Sequence, residues 1–176
     1  MHHAKQGAYF QSQNAGHIAK FDHFARSLGS LPGVEGNLLK IGGKNTDLGR
    51  GHYTELGRAY HLKRAGKDPL TINLQINVPG VGKTDIDILC RDAAGGLEWH
   101  ENKHVRIISC DDAFQAKIDK MAAAREQRLE VEIGGQVERV QRFVFTNSGD
   151  ISEKAMEYAR NKGIEIYDHR PYTRPV

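Results

Sequence analysis

A chain of 176 residues with 39% apolar side chains can bury one substantial core and is short for two. Lys and Arg exceed Asp and Glu by 25 to 22, a formal +3 that permits a nucleic-acid partner without requiring one. Two cysteines, Cys90 and Cys110, form no CxxC or multi-ligand spacing, and no signal-peptide core or long apolar run is present, so a reduced protein without a membrane segment is expected.

Met1 to Asn14 are polar and patternless, which predicts a loose leader whose His2-His3 take no part in the chemistry. Ile18, Phe21, Phe24, Ala25 and Leu28 fall at helical spacing, so Ala15 to Leu28 is expected to be a helix ended by Gly29 and Pro32-Gly33. Gly33 to Asn45 is glycine-rich and reads as a loop. Asp47 is placed to cap a second helix running to about Arg64. Thr71 to Val78 alternates Ile72, Leu74, Ile76 and Val78 with polar residues, the clearest strand pattern in the chain. After the Pro79-Gly80 turn, Thr84 to Cys90 and Leu97 to Ile108 read as two further strands of an antiparallel meander. Asp112 is expected to cap a helix with Phe114, Ile118, Met121 and Ala122 on one stripe. Leu129 to Ile133 and Gln136 to Phe145 flank Gly134-Gly135 as a hairpin. Asn147 to Asp150 can cap a helix from Ile151 to Asn161, and a strand from Ile164 to Asp168 follows, implying a parallel crossover.

These elements predict a single α/β domain, a mixed sheet flanked by helices with an extra N-terminal helix. The boundaries that follow are a leader at 1–14, a helical extension and loop at 15–46, a core at 47–170 and a tail at 171–176.

Three motifs compete for the same stretch. PGVGKT at Pro79 to Thr84 looks like the end of a phosphate-binding loop. Asn77 stands where the first glycine should be, though, and an alternating strand follows where a helix is needed, so turn chemistry accounts for its glycines. His100-Glu101-Asn102-Lys103-His104 matches HExxH, which on a helix would set two imidazoles on zinc with Glu101 as base. Gly95-Gly96 before it and β-branched residues after it favour a strand instead, with Leu97, Trp99, Val105 and Ile107 on one face. The third motif joins Asp87, Glu101 and Lys103. Period-2 geometry puts Glu101 and Lys103 on one face, and a neighbouring strand can bring Asp87 beside them. Carboxylates suit a hard divalent cation, and a lysine at the same point can hold a phosphate oxygen or a water. Glu55, on the apolar stripe of Leu48, Leu56, Ala59 and Leu62, would be costly to bury unless it meets a cation or metal. Asp85, on the same side as Asp87, is a weaker candidate.

A helix glutamate, a strand IDIL carrying an Asp and a strand with ExK resemble the PD-(D/E)xK nuclease superfamily. FVFTNSGDISEKAMEYARNKGIEIYD, at Phe143 to Asp168, is similar to the last strand-helix-strand of its Mrr-type restriction-endonuclease branch. The resemblance spans about Thr54 to Asp168. It implies a restriction-endonuclease-like fold with Asp87 and Glu101 as metal ligands, Lys103 as catalytic lysine and Glu55 as helix acid. It also implies Mg2+ or Mn2+, rather than Zn2+, held with the help of the Asn102 carbonyl. The usual Pro-Asp is absent. The compact form looks similar to C-terminal nuclease domains of bacterial contact-dependent or polymorphic toxins. That implies action in the bacterial cytoplasm after delivery in a larger secreted protein, with DNA or tRNA as substrate and a cognate immunity protein as partner.

Arg50, Arg58, Lys63, Arg64, Lys67 and Arg106 are expected to offer basic contacts near the site, and His169 to Arg174 a basic-aromatic tail. Cys90 and Trp99 read as core residues. Two other classes stay open on the residues alone. One is a zinc metallopeptidase using His100, Glu101 and His104; the other is a non-catalytic nucleic-acid-binding module.

Overall fold

The computed structural model describes residues 23–41 and 46–168. The expected leader, the first turns of the N-terminal helix and the C-terminal tail lie outside the described residues. Among the described residues five helical segments, α1 (23–28), α2 (Val34–Ile41), α3 (Thr46–Arg64), α4 (Asp112–Glu126) and α5 (Glu153–Asn161), flank one mixed sheet. The strands are β1 (Asp68–Val78), β2 (Gly82–Arg91), β3 (Leu97–Lys103), β4 (Ile107–Ile108), β5 (Glu130–Ile133), β6 (Gln136–Asn147), β7 (Asp150–Ile151) and β8 (Glu165–Asp168). The six-stranded sheet runs β1-β2-β3-β6-β5, with β8 also on β6. The β1-β2-β3 meander is antiparallel and β3-β6 and β6-β8 are parallel, the α/β arrangement expected.

Alternation sends the two faces of β2 and β3 into separate cores. Leu89, Leu97 and Trp99 join Phe114, Ile118 and Met121 of α4 and Ala155 and Ala159 of α5. Ile88 and Cys90 join Leu56, Ala59 and Leu62 of α3, Val34 and Leu38 of α2 and Leu28 of α1. Trp99 and Phe143, ring centroids 5.6 Å apart, close the first core across the β3-β6 pair. The β1-β2 ribbon twists between the two cores. Ile72 and Ile88, paired, pack under α3, whereas the next pair, Leu74 and Ile86, packs under α4. Between them stand Asn73 and Asp87, and Asn73 takes the left-handed φ of 56° that a non-glycine residue seldom adopts.

Four local expectations are corrected. Gly33 to Asn45 is not all loop: Val34–Ile41 is a helix, because Val34 and Leu38, one turn apart, both reach the core at 4% and 5% exposure. Its entry packs tightly, since the Ile72 N–H donates to the Pro32 carbonyl at 2.9 Å and Gly33, at φ 88°, lies flat against that strand. The strand expected from Leu97 to Ile108 stops at Lys103. Asn147 ties down the following residues, accepting from Val105 N–H at 3.1 Å and donating to its carbonyl at 3.0 Å, and the chain turns into the small parallel pair β4-β7. Val105 and Ile107 are therefore exposed rather than on the Trp99 face. The α4 cap is Asp111, not Asp112, accepting from Phe114 N–H at 2.9 Å. The last helix begins at Glu153 with Ser152 as cap, because Asp150–Ile151 is spent on β7.

Candidate active site at the fork of β2 and β3

The β2-β3 ladder ends at Ile88 opposite His100. One step further the strands part, and the Asp87 carboxylate takes over the ladder's role, its Oδ2 accepting from Asn102 N–H at 2.7 Å. The register that opposes Leu89 to Trp99 and Ile88 to His100 sets Asp87 opposite Glu101. Both acids are buried, at 4% and 0% exposure. Burial raises the Asp87 pKa well above the usual carboxylate range, and the Glu101 and Glu55 carboxylates add to the rise.

Glu101 lies between two ammonium groups. Lys103 Nζ is 2.7 Å from Oε1 and Lys117 Nζ is 2.8 Å from Oε2, yet neither oxygen accepts a hydrogen bond of ordinary geometry. Burial alone would favour a neutral Lys103 amine, but Glu101 and Asp87 outweigh it and raise its pKa, so it stays an ammonium. Its side chain is 43% exposed, whereas that of Lys117 is 16% exposed and sits 5.9 Å from the Trp99 ring centroid.

Glu55 projects from α3 into a cradle of donors: Asn37 Nδ2 at 2.9 Å, Asn73 Nδ2 at 2.9 Å and His52 Nδ1 at 3.0 Å. Burial opposes its ionisation, but His52 and the two amides prevail and hold its pKa below the ordinary value. The structure thus gathers Asp87, Glu101 and Lys103 in one spot and brings Glu55 within electrostatic reach of Asp87. Asp85, at the mouth, faces Lys117 at 3.4 Å.

Sequence reasoning missed Lys117, Asn37, Asn73 and His52. Lys117 stands three residues after Phe114 and one before Ile118, at the edge of the α4 stripe, where it reads as a solvated flank. His52, three residues before Glu55 on the same helix, carried the only local signal.

On the opposite face of β3 a second buried cluster forms. Glu98, at 1% exposure, is paired with Lys67 and Arg142 and accepts from His100 Nε2 at 2.9 Å; Cys90 Sγ is 3.4 Å from it. Despite burial, the His100 and Lys67 donors hold Glu98 at a pKa of about 2. Burial, with the Arg58 charge nearby, lowers His100 to about 4, so at neutral pH it is an uncharged Nε2–H donor. Burial and the Glu98 charge push the Cys90 thiol upward. The trio could hold a metal only in competition with two cations already on Glu98. His100 and Glu101 lie on a strand, and His104, beyond its end, meets Ser148 Oγ at 2.5 Å. The two imidazoles are therefore not one helical turn apart, as HExxH zinc binding needs.

The basic residues sort differently from expectation. Arg58, on α3, is buried and Lys67 is committed to Glu98, while Lys63, Arg64 and Arg106 are exposed; the Arg50 side chain lies outside the described residues. Among the described residues no helix is long and apolar enough to cross a membrane.

No protein-family model and no curated protein matches the chain. Among solved structures it is similar to a crystallised protein of unknown function, AF1548, at a TM-score of 0.50 and 15% identity over 64% of this chain. The match takes in 55% of that protein, little more than half its length, and bears on the fold alone.

Proposed function

We propose that this chain is a metal-dependent nuclease, hydrolysing phosphodiester bonds of DNA or RNA. The observation that carries the reading is Glu101, a fully buried carboxylate held only by an ammonium at each oxygen, beside a second buried carboxylate, with one of the two ammonium groups reaching solvent. A buried carboxylate is costly unless a cation or donors compensate it, and this fork concentrates two. Such a donor set fits a hard divalent ion. Asp87, Glu101 and the Asn102 carbonyl would hold Mg2+ or Mn2+. When bound, the ion supplies Lewis-acid polarisation of the scissile phosphate and lowers the pKa of water.

The chain's own groups do the rest. Asp87 is fixed by the Asn102 N–H, so its free oxygen keeps one direction. Lys103 stays protonated, which suits it to orient water and offset charge developing on the phosphoryl oxygens rather than to remove a proton. Glu55, held ionised by three donors, deepens the negative potential around Asp87. The order helix acid, strand acid and ExK strand, on α3, β2 and β3, also supports the PD-(D/E)xK resemblance.

The test incubates the purified chain with plasmid, single-stranded DNA and total RNA, adding Mg2+, Mn2+, Zn2+ or chelator. Cleavage in Mg2+ or Mn2+, abolished by chelator, is expected. Lys103→Ala should fold normally and lose at least about 100-fold in rate. Wild-type cleavage rates in Lys103→Ala would overturn the assignment. The effector-toxin context, with action in the bacterial cytoplasm and a cognate immunity protein, is proposed on the resemblance alone. Tolerated expression of the active chain without an inhibitor argues against it.

A further inference from the structure

Lys117 is not simply a second ion-pair partner. Its ammonium has three oxygens around it: Glu101 Oε2 at 2.8 Å, Asp85 Oδ1 at 3.4 Å and the Asp85 backbone carbonyl at 3.4 Å. Two carboxylates and a main-chain carbonyl are the ligand types a hard divalent cation selects. Lys103 and Lys117 hold opposite oxygens of Glu101, but they differ in freedom. Lys103, 43% exposed, can leave for solvent as a ligand arrives. Lys117 is 16% exposed, reaches over the Trp99 ring and is anchored on α4 between the core residues Phe114 and Ile118.

We infer that Lys117 is a built-in substitute for a second metal ion, filling the Asp85–Glu101 position with a fixed single charge and making this a one-ion site. The inference rests on the proposed metal-dependent reading, because only then does the Asp87 side of Glu101 take an ion. Many phosphodiester-cleaving sites clamp the attacking and leaving oxygens between two ions. Here one half of such a clamp is made of protein, so occupancy requires capture of only a single ion. Lys117 is a positioning residue in this account: it holds the Oε2 edge of Glu101 and leaves the Oε1 edge and Asp87 to the ion.

Mn2+ binding, followed by the loss of the free-ion electron paramagnetic resonance signal, tests this without reference to activity. The wild-type chain should take up a single ion, weakened at least about tenfold by Asp87→Asn, which removes a ligand charge, and unchanged by Asp85→Asn. Lys117→Met and Lys117→Gln should each take up a second ion, and Asp85→Asn added to Lys117→Met should abolish that second site. Two ions on the wild-type chain, or a single ion on both Lys117 variants, overturn the inference. Melting curves run alongside. If neither Lys117 variant folds, the wild-type stoichiometry and the indifference to Asp85→Asn decide. Failure of the wild-type chain to bind Mn2+ at all sinks the inference together with the metal-dependent reading. Two-ion binding with cleavage sinks the inference and leaves that reading standing.

Discussion

Between pH 7 and 4.5 acidification should weaken this fold mainly through one side chain, His100. In the unfolded chain its imidazole takes a proton near pH 6.5, whereas in the folded chain burial and the neighbouring Arg58 charge delay protonation to about pH 4. A base with a lowered folded-state pKa contributes stability that is complete above its unfolded value and is lost as pH falls towards the folded one. The slope reaches about 1.4 kcal/mol per pH unit, so the full window from pH 6.5 to 4 is worth about 3 kcal/mol, of which about 2 kcal/mol is gone by pH 4.5. Glu98 has the same sign but a lower window, its stabilisation fading as pH falls from 4.5 to about 2. Asp87 has the opposite sign: its raised pKa lets the folded state gain a proton first, so its contribution grows as pH falls towards the ordinary carboxylate value. Comparing the wild-type chain with His100→Gln, in chelator, isolates the imidazole: Asp87 is common to both chains, a glutamine amide can donate to Glu98 without titrating, and most of the Glu98 window lies below pH 4.5. Urea unfolding at pH 7 and 4.5, read by fluorescence of the single, fully buried Trp99, gives the difference. Wild-type stability should fall about 2 kcal/mol further than that of His100→Gln. Parallel losses in the two proteins would refute the argument.

Asn73 and Gly33 give paired tests of the backbone that supports the site. Asn73→Gly keeps the left-handed φ of 56° accessible and Asn73→Ala does not, so the alanine variant should be less stable by about 1 kcal/mol in urea melts. Both remove the 2.9 Å donor to Glu55 and should slow cleavage alike; equal stabilities would argue against the strained backbone. Gly33→Ala would put a Cβ 1.8 Å from the Ile72 carbonyl oxygen at φ 88° and should cost at least about 2 kcal/mol, whereas Gly36→Ala, in open space on α2, should be neutral or gain up to about 1 kcal/mol. Similar melting temperatures for the two variants would mean that α2 does not dock on β1 as described.

The alternation of Ile72 to Val78, the IDIL run and the ExK spacing were legible because strand periodicity and acid placement are local properties, and they led to Asp87, Glu101 and Lys103 directly. Glu55 was legible as a carboxylate on an apolar stripe, an oddity that tertiary donors now explain. The remainder depends on non-local packing. In β3 both faces are buried, so Glu98 and His100, polar residues that alternation assigns to solvent, became an ion-paired interior. Lys67 and Arg142 compensate them from elements far away in the chain, which no window of sequence displays. Glycines at 33, 36, 42 and 43 masked the Val34-Leu38 spacing that makes α2 a helix. Val105 and Ile107 continued the strand pattern past the point where Asn147 bends the chain away.

Glu55 comes from the helical layer on one side of the sheet and Lys117 from the layer on the other. A half-formed chain with only one layer wrapped over the strands would carry Asp87 and Glu101 without their full complement of neighbours. On the nuclease reading proposed above, completion of folding is the arming step: an incomplete or unravelled copy lacks the assembled site, and competence arrives together with the finished fold.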